Sequence, residues 1–209
     1  MIGARRAATR PFTDAVGRAV AATGLSPNAV TVLQLVLSVP VAWALWKAPL
    51  TWAALLFGLV SSLDWVDGAV ARVTGKATLA GGYLDSLVDR FVDALLLVPL
   101  LLRYDLTRMW LVGSAYLFAM TVTSFARARL FQDVRPPPAD TWKRDLLERP
   151  ERCLLLGLAI LAQGLVDAAG RHVDVLFWAL CLLAVLSFAT VLQRMVTAMR
   201  LLKEAQAHG

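Results

Sequence analysis

The chain has 209 residues, 58% of them hydrophobic, with 21 Lys and Arg against 15 Asp and Glu and a formal net charge of +6. A mean hydropathy of +0.64 lies above the range of ordinary soluble domains and excludes a water-soluble globular protein. The length fits one domain, taken as residues 1–209; a lipid bilayer is the expected surroundings and no nucleic acid is expected as partner.

Residues 1–24 open with a basic stretch that leads into no apolar core before Gly24, so they do not form a signal peptide. Within them Phe12, Val16 and Val20 recur every fourth residue, while Asp14 and Arg18 fall elsewhere on the wheel. Pro11–Ala22 therefore reads as an amphipathic helix lying in the membrane interface. Six apolar segments follow in a bundle over residues 29–203: Ala29–Trp46, Thr51–Ala71, Leu79–Leu102, Met109–Ala126, Cys153–Val166 and Val175–Val191. The fifth is short and is extended by its polar flank. Between the fourth and fifth, Phe131–Arg149 contains three consecutive prolines and mixed charge and reads as a loop without regular structure. Cys153 and Cys181 sit in apolar segments without metal-ligand spacing, as small core residues do. The expected fold is an all-α integral membrane protein of six transmembrane helices, preceded by an amphipathic juxtamembrane helix.

Lys and Arg are retained on the cytoplasmic side of short loops. Sixteen of them fall on one side of this topology, Lys47, Arg103, Arg108 and Arg171 fall on the other, and Arg90 lies within a segment. The chain is thus expected to be multi-pass in the cytoplasmic membrane, with both termini and the active site facing the cytoplasm.

Asp64, Asp67, Asp85 and Asp89 lie inside two of the apolar segments. A carboxylate at membrane depth costs on the order of 2.5–3.5 kcal/mol and persists where it lines a wet cavity, holds ions or does chemistry. The intervals of three and four place each pair on one helix face, and the short link Val73–Ala80 suggests neighbouring helices. Four converging acids cannot all stay ionised without cations. Oxygen-only ligands favour Mg²⁺, Mn²⁺ or Ca²⁺ over zinc, and both histidines, His172 and His208, lie far along the chain. Two such ions about 3.5–4 Å apart form a clamp for phosphoryl or phosphatidyl displacement. Gly68, Ala71 and Gly81, between and beside the acids, let a bulky ligand or a facing helix approach the backbone.

The order Asp64-x2-Asp67-Gly68-x2-Ala71-Arg72-x8-Gly81-x3-Asp85-x3-Asp89 resembles the complete signature of the CDP-alcohol phosphotransferase family. The resemblance implies an integral membrane enzyme that moves a substituted phosphate from a CDP-linked donor, such as CDP-diacylglycerol, to an alcohol and releases CMP. It assigns Asp64, Asp67, Asp85 and Asp89 to two ions, Mg²⁺ or Mn²⁺, and makes Asp89 the base that takes the acceptor's proton. Gly68, Ala71 and Gly81 shape the nucleotide pocket, and Arg72 neutralises donor charge. Asn28 and Thr31 match a recurrent pre-helix pattern of the family, although helix capping explains Ser26 or Asn28 about as well. A homodimer is also implied.

The acceptor is read from a second cluster. Arg127-Ala128-Arg129, Glu148-Arg149-Pro150-Glu151-Arg152 and Gln193-Arg194 resemble the subgroup of the family that makes phosphatidylinositol phosphate, or its archaeal ether-lipid counterpart, from inositol phosphate. In that subgroup positions aligned with Arg127, Arg152 and Arg194 bind the acceptor's phosphate, so a phosphorylated polyol is the expected acceptor. The subgroup usually has Lys in place of Arg127, Gly in place of Asp145 or Leu146, and Gly in place of Ala94. Plain positive-inside topology accounts for Arg129 and Arg149 equally well, and Asp93 pairs with Arg90 on the simplest reading. Glycerol 3-phosphate is the rival acceptor. From other classes come a cation-coupled carrier, which predicts acids and broken helices in both halves, and a non-catalytic membrane scaffold.

Overall fold

The computed structural model describes residues 2–104, 106–133 and 145–207, and among these every regular element is an α-helix. The helices are α1 (Ile2–Ala22), α2 (Pro27–Lys47), α3 (Leu50–Thr74), α4 (Leu79–Tyr104), α5 (Thr107–Asp133), α6 (Arg149–Ala168) and α7 (Val175–Ala207). Each apolar segment of the sequence forms the body of one helix from α2 to α7. The short fifth segment gains its missing turn from the polar flank Arg149–Arg152. The stretch expected as a loop begins later than the sequence suggests, because α5 continues through Phe131 to Asp133; residues 134–144, with the three prolines, lie outside the described residues.

Local chemistry fixes the helix ends that matter for the site. Ser26 caps α2, its Oγ accepting the Ala29 N–H at 3.2 Å, and Pro27 opens the first turn, where a missing N–H is harmless. Gly75 ends α3 in the left-handed conformation at φ 64°. Thr78 Oγ1 accepts the Gly81 N–H at 3.0 Å and holds the start of α4. Glu151 closes the first turn of α6 by accepting the Glu148 N–H at 3.0 Å.

α2 packs on both α3 and α4; α3 also receives α1 and α6; α5 pairs with α7, and α4 and α6 join the two groups. The shared core is aliphatic, with Leu45, Leu97, Leu100, Ile160, Leu180 and Leu183 almost wholly buried. α1 is longer than the interfacial helix expected, starting at Ile2 with Pro11 inside it. It docks on α3 through Gly17, where a Cβ would stand 2.9 Å from the Ala69 carbonyl carbon, and it leaves Phe12 74% exposed.

Four helices, α2, α3, α5 and α7, are long and apolar enough to cross a membrane. α4 and α6 are interrupted by charge, Asp85, Asp89, Arg90 and Asp93 in one and Arg149, Glu151 and Arg152 in the other. Arg103 Nη1 donates to the Ala48 carbonyl at 2.7 Å beyond the end of α2, and Arg108 pairs with Asp174 at 2.5 Å, both at the end of the bundle away from the acids.

Candidate active site

α3 and α4 hardly touch, although a short link joins them; each leans on α2 instead. They are neighbours, as the short link suggests, but they face one another across a gap, into which the acids of both project. Close packing would leave four carboxylates without room for water or cations, whereas a gap held open by a third helix accommodates them.

Asp64, Asp85 and Asp89 each bring a carboxylate oxygen within 4.8 Å of the others. Asp67 stands apart from this trio, its Oδ2 accepting the Thr31 hydroxyl at 2.8 Å. It reaches the site by lining a cavity of about 180 Å³ together with Asn28, Thr31, Gly68, Ala71, Gly81 and Asp85. Six residues read as donor-binding or metal-binding from α2, α3 and α4 thus share a wall with Asp67. Ser26, not Asn28, caps α2, and Asn28 lines the cavity. Gly81 is needed there: a Cβ would lie 2.9 Å from Asn28 Oδ1 and 3.0 Å from Thr78 Oγ1. Arg72 is placed differently from the other residues of the signature. It lies outside the cavity wall, with Nη2 3.4 Å from Asp14 Oδ1 on α1. Lys76, not singled out by the sequence, lines the cavity.

Beside Asp64, an apolar groove of about 260 Å³ runs between α3 and α6, past Trp65, Cys153, Gly157 and Phe57 to Leu161. Polar cavity and apolar groove therefore both border the acids.

Arginines supply the remaining charge. Arg149, which topology alone would explain, reaches into the trio with Nη1 2.6 Å from Asp64 Oδ1 and 2.8 Å from Asp89 Oδ1. Its Nε donates to Asp93 Oδ1 at 3.4 Å. Arg90 pairs with Asp93 at 3.1 Å, as expected, and donates to the Met120 carbonyl at 3.3 Å. Arg152 and Arg194, from α6 and α7, meet at Thr123 of α5: Arg152 Nη1 donates to Thr123 Oγ1 at 3.3 Å and Arg194 Nη1 to the Thr123 carbonyl. Arg152 is only 4% exposed, and its Nε has no hydrogen-bond partner among the described residues. Arg194 also meets Asp145 Oδ2, through Nη2 at 2.6 Å and Nε at 3.1 Å. Arg127 stands one turn beyond Thr123 on α5 and is exposed. Sequence reasoning missed Thr123 and Asp145 as partners and Arg149 as a member of the acid cluster. The one signal for Arg149 was its interval of three from Arg152, which puts both on one face of α6.

The acid trio presents hard oxygen ligands only, and Asp85 Oδ1 is buried without a hydrogen-bond partner among the described residues. Such a set fits a hard divalent cation.

Residues 24–187 match the family model of the CDP-alcohol phosphatidyltransferases. The chain belongs to that family. It is a transferase that acts on phosphatidyl groups, and the acids, the polar cavity and the groove lie within the matched residues, whereas Arg194 lies beyond them. The chain is 36% identical to a phosphatidylinositol phosphate synthase of Corynebacterium glutamicum over 83% of its own length and 78% of the relative's. It is 28% identical to an archaetidylinositol phosphate synthase of Pyrococcus horikoshii over 91% and 92% of the two chains. Among solved structures it resembles the phosphatidylinositol phosphate synthase of Mycobacterium tuberculosis with CDP-DAG bound, with a TM-score of 0.72, 27% identity and coverage of 90% and 94%. The same enzyme in complex with manganese and citrate gives a TM-score of 0.73 at 27% identity, over 90% and 88% of the chains.

Proposed function

We propose that this phosphatidyltransferase moves the phosphatidyl group of CDP-diacylglycerol to a hydroxyl of inositol phosphate and releases CMP. The single observation that carries the reading is the meeting of two differently built surfaces at one acid cluster, a polar cavity and an apolar groove, with Arg149 reaching the acids one turn before Arg152 of the buried arginine pair. The cavity suits a nucleotide, with Gly68, Ala71 and Gly81 keeping its wall low and Asn28 and Thr31 offering polar contacts. The groove suits an acyl chain of the same donor. Arg152 and Arg194, with Arg127 at the exposed rim, suit a phosphate on the acceptor, since guanidinium groups grip phosphate through paired N–H donors. Arg72, tied to Asp14, steadies α1 against α3 beside the cavity and adds positive charge to the nucleotide's surroundings.

Asp64, Asp67, Asp85 and Asp89 would hold two divalent ions, Mg²⁺ or Mn²⁺, and the manganese complex of the mycobacterial relative supports that assignment. Bound ions of this kind neutralise the charge of a diphosphate and of a departing phosphate. In the reaction the acceptor oxygen attacks the phosphorus that carries the lipid, the bond from that phosphorus to the bridging oxygen breaks, and CMP leaves with the electron pair. Asp89 takes the proton lost by the acceptor hydroxyl. The apolar groove excludes water from one side of the reacting phosphorus, which disfavours hydrolysis of the donor.

The reading places α2–α7 as six membrane spans, with α1 lying along the interface and its exposed Phe12 toward lipid. α4 and α6 cross despite their charges because these are paired or hydrogen-bonded inside the bundle, Arg149 with Asp64, Asp89 and Asp93, Arg90 with Asp93 and Arg152 with Thr123. The basic excess at the acid end supports a cytoplasmic active site and cytoplasmic termini in one domain over residues 1–209, and a homodimer is the expected assembly. The test is CMP release by the purified, lipid-reconstituted protein with Mg²⁺ and CDP-diacylglycerol. Inositol 1-phosphate, free inositol, glycerol 3-phosphate and serine serve as alternative acceptors. Release with inositol phosphate alone is expected; preference for glycerol 3-phosphate would overturn the acceptor, and release with none would overturn the donor.

A further inference from the structure

We propose that Arg149 is a built-in counter-cation of the acid cluster, which a divalent ion must displace from Asp64 and Asp89, so that loading of the site and release of this guanidinium are one event. The inference rests on the acids being a metal site and goes beyond that reading by naming a residue that opposes loading. Its Nη1 lies 2.6 Å from Asp64 Oδ1 and 2.8 Å from Asp89 Oδ1, and these are two of the three acids that converge. An ion bound by the same oxygens sits about 2.0–2.6 Å from each, which leaves no space for a nitrogen already in hydrogen-bonding range of both. Charge gives the same answer: the guanidinium cancels one unit of negative charge, and its departure restores that unit to the ligands of the incoming ion.

The surroundings suit a movable arm better than a fixed strut. Arg149 is the first residue of α6 and follows the irregular stretch 145–148. Its Nε holds Asp93 Oδ1 at 3.4 Å, a contact separate from those of Nη1, so the side chain keeps one partner when the other two are taken. Arg152 follows at an interval of three on the same face of α6. A guanidinium released from the acids therefore adds its charge to the arginines assigned to the acceptor's phosphate, and acceptor binding is favoured only once the ion is in place.

The experiment is calorimetric titration of Mn²⁺ into the reconstituted protein without lipid substrate, comparing wild type, Arg149→Gln, Arg149→Lys and Asp85→Asn. The expected result is that Arg149→Gln binds Mn²⁺ about tenfold or more tightly than wild type, as removal of a competing cation requires, with Arg149→Lys between the two. Equal or weaker binding by Arg149→Gln, with Asp85→Asn impaired, would overturn the proposal and leave the metal site standing. Wild-type affinity in Asp85→Asn would instead sink the metal site itself. The wild-type protein offers a readout that needs no variant. Modification by phenylglyoxal, located by peptide mass spectrometry, should rise at Arg149 when Mn²⁺ is added, and a rate that falls or stays constant would refute the displacement.

Discussion

Replacing Gly81 by Ala should lower activity while leaving the protein as stable as before, because the two properties depend on different atoms. A Cβ at position 81 would lie 2.9 Å from Asn28 Oδ1 and 3.0 Å from Thr78 Oγ1, where ordinary contacts are 3.4–4 Å. Thr78 Oγ1 is held by the Gly81 N–H that it accepts, so the Asn28 amide is the group that yields, by about 0.5 Å in a close-packed wall. The amide is the far end of a side chain and the α2 backbone need not follow. Helix propensity favours Ala over Gly by up to about 1 kcal/mol, which offsets the crowding. The melting temperature in detergent should therefore stay close to that of the wild type. The cavity fares worse, since it gains a methyl group and its Asn28 contact moves. Misplacement of a bound substrate by about 1 Å can cost about a hundredfold, so half that shift predicts a loss of about tenfold in kcat/KM for the donor. The assay is CMP release against CDP-diacylglycerol concentration at saturating acceptor, with Gly82→Ala as the reference. Gly82 belongs to the same wall, but its Cβ would meet nothing within 4 Å. Wild-type kinetics in Gly81→Ala would refute the placement of the donor against Asn28; a large fall in melting temperature would refute the claim that the amide alone gives way.

Asp89→Asn should insert and fold normally and lose about 10²–10⁴ in kcat, the usual worth of a positioned base, with CMP release as the assay; near-normal turnover would move the base elsewhere. Arg152→Ala should raise KM for inositol phosphate at least tenfold, about the loss of one charged hydrogen bond, while KM for CDP-diacylglycerol stays constant. A rise in both constants would show that Arg152 supports the fold around Thr123 and does not select the acceptor. Arg103→Ala removes the charged hydrogen bond to the Ala48 carbonyl at 2.7 Å and should cost about 1.5–3 kcal/mol in denaturant unfolding. Its kinetics should match the wild type, since it lies at the end of the bundle away from the acids.

What could be read from the sequence is what costs free energy locally. An acid in an apolar run announces itself, and an interval of three or four fixes its helix face whatever the helix packs against, so Asp64, Asp67, Asp85 and Asp89 were legible as a candidate site before any fold was known. The helices were legible for the same reason, as apolar runs separated by short links such as Val73–Ala80. Partnerships across the bundle were not. The link between α3 and α4 suggested neighbouring helices, which they are, yet a link limits only the distance between helix ends, and that both bodies lean on α2 was not legible. Arg72 belongs to the family signature but turns to Asp14, which precedes it by 58 residues on a helix whose docking depends on the missing Cβ of Gly17. Arg129 and Arg149 are the sharpest case. Both sit among basic neighbours at the acid-bearing end of the bundle, and positive-inside topology accounts for either. Arg129 ends exposed on α5, with Nη1 donating to Gln132 Oε1 at 3.4 Å, while Arg149 reaches Asp64 and Asp89. The difference is that α6 packs on α3 and begins beside the gap, whereas α5 leans on α4 and α7 and carries Arg129 away from it. A membrane-border arginine thus joins an acid cluster when its helix end opens onto the gap that another helix holds apart, and no window of neighbouring residues contains that information.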